Sequence, residues 1–203
     1  TGRMDTPWLA KWITDGDYHF TGKKVSPVPM TFKKSFSVDK KIKSAKIYAT
    51  AMGIYELSLN GSKVGNRFFA PGFTSYKTRL QYQTYDVTKA LKKDNELTVV
   101  VGGGWAVGSF VFTRKNRISA DRQALLLELR IEYEDGTTQL IKTDTDWDVS
   151  MRGNYRAADF YDGEIYDASI SLKDSDYHKA VTELLRVHPK ITADMGAAVR
   201  AHE

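Results

Sequence analysis

From Met30 onward, apolar and polar residues alternate in short runs. Met30, Phe32, Phe36 and Val38 share one side of such a run, and Ala45, Ile47, Ala49 and Ala51 repeat the pattern. A strand turns successive side chains to opposite faces, so this alternation predicts half-buried antiparallel strands. Tyr55, Leu57 and Leu59 follow. Asn60-Gly61, a pair that tolerates the positive φ of a tight hairpin, then sends the chain back through Val64. Residues 97–101 read as a β-branched strand that stops at three consecutive glycines, 102–104. Leu125, Leu127, Leu129, Ile131 and Tyr133 hold strictly alternate positions until Asp135-Gly136 turns the chain into residues 138–141. Residues 86–91 read as a single helical turn with Asp86 or Thr88 as its cap. Seven or more short strands with little helix predict an all-β fold, a jelly-roll-like antiparallel β-sandwich with one or two short helical turns.

The pattern weakens at both ends. Residues 1–28, with Trp8 and Trp12 among Gly and Pro, read as a leader strap, residues 29–173 as the sandwich, and residues 174–203 as a C-terminal segment leading towards a following domain. In that last segment Tyr177, Val181, Leu184 and Leu185 have helical spacing, whereas Leu185 and Val187 before Pro189 fit a strand. Thr1-Gly2-Arg3 carries neither an initiator Met nor an apolar signal run, so an excised or processed piece is expected.

Composition narrows the function. A chain of 203 residues buries roughly 70% of its unfolded surface, so it needs neither metal nor disulfide to hold a core. With 41% hydrophobic and 12% aromatic residues it is neither a disordered chain nor a coiled coil. No apolar run approaches the length of about 18 residues that a membrane span needs, so no membrane partner is expected. The absence of cysteine excludes disulfide scaffolds, zinc-thiolate sites and thiol catalysis. The net charge of +5 comes mainly from Lys23-Lys24, Lys33-Lys34 and the run Lys40, Lys41, Lys43 and Lys46. Lysines scattered in this way mark a solvated face or protected sheet edges. A nucleic-acid partner would call for clustered arginine with stacking aromatics, and none is expected.

Five motifs stand in order. Gly53-Ile54-Tyr55-Glu56-Leu57-Ser58-Leu59-Asn60-Gly61 runs on to Val64-Gly65, followed by Ala70-Pro71-Gly72-Phe73-Thr74-Ser75-Tyr76. Tyr82-Gln83-Thr84-Tyr85-Asp86-Val87-Thr88 comes next, then Gly102-Gly103-Gly104-Trp105 with Gly108, and finally Tyr161-Asp162-Gly163-Glu164-Ile165-Tyr166-Asp167-Ala168. In order and spacing, residues 29–168 resemble the N-terminal β-sandwich module of bacterial α-L-rhamnosidases. These are large inverting glycoside hydrolases, acting on terminal α-L-rhamnose, whose catalytic domain is an α/α barrel. The resemblance implies that the catalytic carboxylates lie downstream of this module, in a catalytic domain of the same chain. It also implies a periplasmic or extracellular location. On this reading the segment is a non-catalytic accessory domain that packs on the catalytic domain and shapes its cleft through the loops at 73–79, 102–110 and 162–167. The alternative is an autonomous module recognising an L-rhamnose-containing glycan, with calcium as the one cofactor the resemblance allows.

The residues themselves bear on both readings. Asp162 and Glu164, two positions apart on a strand, share a face at roughly 7 Å, a separation compatible with an inverting pair. Inversion, however, needs carboxylates opposed across a sugar, and these two point the same way. With Asp167 they are expected to bind turn amides or hold a neighbouring domain. For sugar recognition Trp105, after three glycines, offers a stacking ring, and Tyr76 and Arg79 offer further contacts; the alternative is that Trp105 fills the end of the sandwich and Tyr76 closes a loop. Calcium-binding relatives carry an Asp/Asn pair near Thr74–Tyr76, where this chain has Ser75-Tyr76 and no carboxylate between Glu56 and Asp86. Hard cations want anionic oxygen, which counts against calcium. Asp144, Asp146 and Asp148 lack the Gly and Glu of an EF-hand loop and read as a solvated turn before an inward-packed Trp147. The glycines at 102–104 lack the Lys-Ser/Thr of a phosphate loop and read as a turn. His19, His178, His188 and His202 show no ligand spacing, so no metal site is expected.

Overall fold

The computed structural model of the protein describes residues 6–19, 26–110, 115–196 and 199–200. The opening tripeptide, Lys23, Lys24 and His202 lie outside the described residues. In chain order the elements are β1 (Ile13–Thr14), β2 (Met30–Ser37), β3 (Ile42–Met52), β4 (Ile54–Leu59), β5 (Ser62–Lys63), β6 (Arg79–Asp86) and β7 (Asp94–Gly102). A four-residue helix, α1 (Gly104–Val107), precedes β8 (Ala124–Tyr133), β9 (Thr138–Lys142), β10 (Asp148–Ser150), β11 (Tyr155–Asp159) and β12 (Gly163–Tyr166). A 3-10 turn at Asp174–Asp176 leads to β13 (His178–Lys179), β14 (Val181–Thr182) and β15 (Lys190–Ala193).

Two sheets face each other. One runs β14-β1-β8-β3-β6-β15, with β9 also on β8; the other runs β13-β10-β2-β7-β4-β5. A separate hairpin, β11-β12, stands outside both. Among the described residues every strand pairing is antiparallel except β15 on β6. Ala45, Ile47, Ala49 and Ala51 of β3 and the alternating leucines of β8 turn inward from the first sheet. Met30, Phe32, Leu57, Val99 and Trp147 meet them from the second. The strands therefore sit where the alternation requires, and Trp147 is fully buried. Asn60 and Gly61 take φ of 53° and 77°, the left-handed pair that joins β4 to β5.

Some elements differ from expectation. Residues 86–91 form hydrogen-bonded turns in place of a helical one. Asp86 accepts the Thr88 amide at 3.0 Å, and Thr88 Oγ1 accepts the amide of Ala45 at 2.9 Å, so Asp86 closes its own turn and Thr88 serves the strand edge. The helical turn instead follows the glycine run, as α1, because the chain must double back there over Gly108. A β-carbon at Gly108 would lie 2.3 Å from Asp159 Oδ2, so only glycine fits. The helical spacing at Tyr177, Val181 and Leu184 is not used. β13 and β14 instead pair with β10 and β1.

The lysines of the basic run sit beside acids on the neighbouring turn. Lys40, Lys41 and Lys43 pair with Asp135, Glu134 and Glu132 at 2.8, 2.9 and 2.6 Å. Lys33 lies on a central strand, binds Asp174 at 2.6 Å and covers the Tyr177 ring. The strap lies over the outer face of the first sheet. There Glu128, fully buried, accepts the amides of Leu9 and Ala10 at 2.5 and 3.1 Å and meets Arg130 at 2.9 Å. Trp8 packs edge-on against Tyr82 at 5.6 Å. Among the described residues no helix is long and apolar enough to cross a membrane.

Candidate functional site

The loops at one end of the sandwich assemble a continuous aromatic surface. α1 carries Trp105, the loop before β6 brings Phe69, Phe73 and Tyr76, and the turn between β11 and β12 brings Phe160 and Tyr161. Trp105 meets Phe160 at 4.6 Å, Phe73 at 6.1 Å and Phe69 at 6.3 Å between ring centroids. Phe73 stacks on Phe110 at 5.8 Å, and Phe110 in turn meets Tyr161 at 6.1 Å. Phe73 is 60% exposed, and Phe69, Phe160 and Tyr161 are also largely open to solvent. Ile165 and Tyr166 of β12 extend the exposed apolar surface along the hairpin.

Asp159 fixes this surface from beneath. Nearly buried, it accepts the Ser109 amide at 2.5 Å, the Ser26 hydroxyl at 2.7 Å and the Tyr161 amide at 2.9 Å. One carboxylate thus ties the strap, the end of α1 and the aromatic turn into a single unit. Asp162 joins it by accepting the Ser109 hydroxyl at 2.5 Å.

The residues singled out in the sequence fall in three places. Trp105 and Tyr76 line a common cleft of about 190 Å³ with Phe73, Thr74, Phe110 and Ile118. Tyr76 is almost wholly buried; its hydroxyl donates to the Gly72 carbonyl at 3.1 Å, and burial pushes its phenol well above the ordinary range. Arg79 lies outside this cleft, exposed on β6 opposite Lys190. Among the described residues no carboxylate belongs to the lining, while Thr74 Oγ1 is buried there without a hydrogen-bond partner.

The acidic motif divides. Asp162 faces the sandwich through Ser109. Asp167 caps a turn by accepting the Ser169 hydroxyl at 2.6 Å and the Ser169 amide at 2.9 Å, and these donors hold its carboxyl below the usual range. Glu164 is exposed on β12 and lines a second cleft on the outer face of β4 and β7, with Glu56, Arg67, Phe68 and Tyr155. In that cleft Glu56 is held by Lys63 at 2.5 Å. Burial first, then the charges of Glu164 and Glu56, raise the Tyr155 phenol above its ordinary value. Asp162 and Glu164 are thus engaged differently across the turn at Gly163: Asp162, exposed, receives the Ser109 hydroxyl, whereas Glu164 borders the cleft on β4 and β7.

Phe69 and Phe160 adjoin the Ala70-Pro71 and Tyr161-Asp162 motifs without belonging to them, so motif spacing alone does not single them out. An aromatic residue directly before a loop motif was the available signal.

Residues 40–203 match the α-L-rhamnosidase N-terminal domain family. The chain is 33% identical over 192 residues to an α-L-rhamnosidase from Alteromonas sp. (strain LOR), a match covering 87% of this chain and 20% of the relative. The crystal structure of an α-L-rhamnosidase from Aspergillus terreus superposes with a TM-score of 0.86 at 32% identity, covering 95% of this chain and 23% of the other. That of the Streptomyces avermitilis α-L-rhamnosidase complexed with L-rhamnose gives 0.82 at 34% identity, covering 88% and 18%. The chain thus spans about a fifth of the length of these relatives.

Proposed function

The chain belongs to the α-L-rhamnosidase N-terminal domain family, and we propose that it acts there as a non-catalytic accessory module whose aromatic end packs against a downstream catalytic domain and shapes the rim of its sugar cleft. The observation that carries this reading is the ring surface from Phe69 to Tyr161, anchored by Asp159 and open to solvent. Exposed aromatic patches of this kind mark interaction surfaces, and about four-fifths of each relative's length lies outside the matched segment, chain enough to cover it. The carboxylates fit the same reading. Inverting hydrolysis needs two acids opposed across one sugar, whereas Asp162 binds Ser109, Glu164 lines the other cleft and Glu56 is engaged by Lys63. The inverting chemistry and the terminal rhamnose substrate are then properties of the downstream domain.

The test is a Phe73→Ser/Phe160→Ser variant in a chain carrying the downstream domain. It should lower the melting midpoint of the joined protein by more than it lowers that of the isolated module, and the isolated module should not turn over an aryl rhamnoside. Hydrolysis by the module that Glu164→Gln abolishes would sink the reading.

Thr74 favours a second reading. Its buried, unpartnered hydroxyl beside Trp105 suits a ligand hydroxyl, which would make the cleft an L-rhamnose site. Since the lining offers no carboxylate, this form of the reading needs no calcium. Calorimetric titration with L-rhamnose decides it: no heat at millimolar sugar eliminates the site.

A further inference from the structure

Asp15, at the turn after β1, is fully buried. Its Oδ1 accepts the Asp17 amide at 2.8 Å and lies 2.8 Å from His178 Nε2 on β13. Asp17 Oδ2 lies 3.9 Å from the same nitrogen. The second oxygen of Asp15 is buried with no hydrogen-bond partner. A simple Asp–His hydrogen bond accounts for Oδ1 but leaves that oxygen bare and Asp17 idle. An anionic oxygen withdrawn from water without a partner is costly.

We infer that Asp15, Asp17 and His178 form a binding site for a divalent transition-metal cation, Zn²⁺ by ligand chemistry, which clamps the N-terminal strap to the C-terminal strands. One imidazole nitrogen with two carboxylates suits a borderline cation, whereas calcium takes six to eight oxygens. At Zn–N and Zn–O bonds of about 2.0–2.2 Å, two ligand atoms on one ion lie no more than about 4.4 Å apart. The separations of 2.8 and 3.9 Å fall inside that limit, and one ligand atom from each residue lies within 4.8 Å of the others before any adjustment. The frame is held by strand pairing: Ile13 opposes Thr182, and His178 opposes Val149. Asp17 is 78% exposed and the His178 side chain 39% exposed, so an ion can enter and water can complete its shell. Binding requires His178 to give up its hydrogen bond to Asp15 and present a lone pair, releasing any proton it holds. Asp15 and His178 are separated by 163 positions in sequence, which is why residue spacing does not reveal the site.

The experiment titrates the metal-free chain with Zn²⁺ alone by calorimetry, with Ca²⁺ as the contrast, and follows thermal melting. One saturable Zn²⁺ site is expected, raising the melting midpoint by about 5–10 °C at hundredfold saturation. Asp17→Asn and His178→Gln should each weaken binding by at least about tenfold, the lower end of what even an outer partner of a metal ligand contributes. Asp17 is exposed, so its variant folds whatever happens at the buried Asp15. No saturable Zn²⁺ binding, binding unaltered in both variants, or preference for Ca²⁺ would each overturn the assignment.

Discussion

The indole of Trp105 and the ring of Phe160 lie 4.6 Å apart, tilted by 37°, although one sits on α1 and the other on the outer hairpin. Asp159 makes this contact possible by binding the Ser109 and Tyr161 amides at once. The indole is therefore already in contact with protein rings, and the exposed area available to a partner belongs mainly to Phe73, Phe160 and Tyr161.

These rings are surface, not core. Phe73→Ser in the isolated chain should cost less than about 1 kcal/mol and lower the binding of a hydrophobic dye. Urea unfolding alongside dye fluorescence checks both. A loss of several kcal/mol would assign Phe73 to the packed interior.

Trp147 makes the opposite case. It is fully buried, with Nε1 donating to the Lys142 carbonyl at 2.8 Å. Trp147→Ala opens a large cavity between the sheets and should destabilise the fold by about 3–5 kcal/mol, read as a lower urea midpoint with an unchanged slope.

Glu128 holds the strap. Charge-assisted hydrogen bonds contribute about 1.5–3 kcal/mol, and this carboxylate receives the amides of Leu9 and Ala10. Glu128→Gln should release the strap before it unfolds the sandwich. Limited proteolysis should then cut the chain ahead of Lys11 while the remainder resists. Uniform loss of resistance would mean that the strap and sandwich unfold together.

The strand faces were legible in the sequence because burial of one face imposes a period of two, and Leu125 to Tyr133 keep that period without a break. Glu128 stands on the opposite face of the same strand, where alternation puts a solvent-facing residue, and nothing local announces that residues 9 and 10 cover it. The tail was ambiguous for a related reason. Residues 177–185 carry helical spacing, but two-residue strands such as Val181–Thr182 draw their stability from the edge they join, not from their own periodicity. The candidate site was half legible: Trp105 and Tyr76 share a cleft, whereas Arg79 and the division of Asp162 from Glu164 depend on turns that pair residues distant in the chain.

On the acid side, several carboxyls sit below their ordinary values. Lys40, then Thr137 through its hydroxyl and amide, lowers Asp135 from an ordinary value near 3.8, and Lys43 lowers Glu132. A folded-state value below the unfolded one means that the contribution is present above about pH 4 and is lost as pH falls through the folded value. Melting midpoints should therefore drop below pH 4. Asp135→Asn should flatten that drop slightly, since these pairs are solvent-exposed and screened.

On the alkaline side, buried phenols set the limit. The Tyr55 hydroxyl lies 2.9 Å from Gln83 Oε1, to which it donates its one proton, 3.2 Å from the Ala49 carbonyl and 3.1 Å from the Tyr85 hydroxyl. Burial, then the Tyr85 neighbour, pushes the Tyr55 phenol well above its ordinary value of 10.0, and burial raises Tyr85 as well. The fold therefore favours the neutral phenols. Their contribution is complete below pH 10 and is lost as pH rises past it towards the folded values. Tyr55→Phe should cost about 1–2 kcal/mol at pH 7 by leaving Gln83 Oε1 without this donor. It should also make the decline of stability above pH 10 shallower than in the wild-type chain. Because lysines titrate equally in both proteins, the difference between the two urea-midpoint curves isolates the phenol. A constant offset from pH 7 to 11.5 would show that Tyr55 does not couple folding to pH.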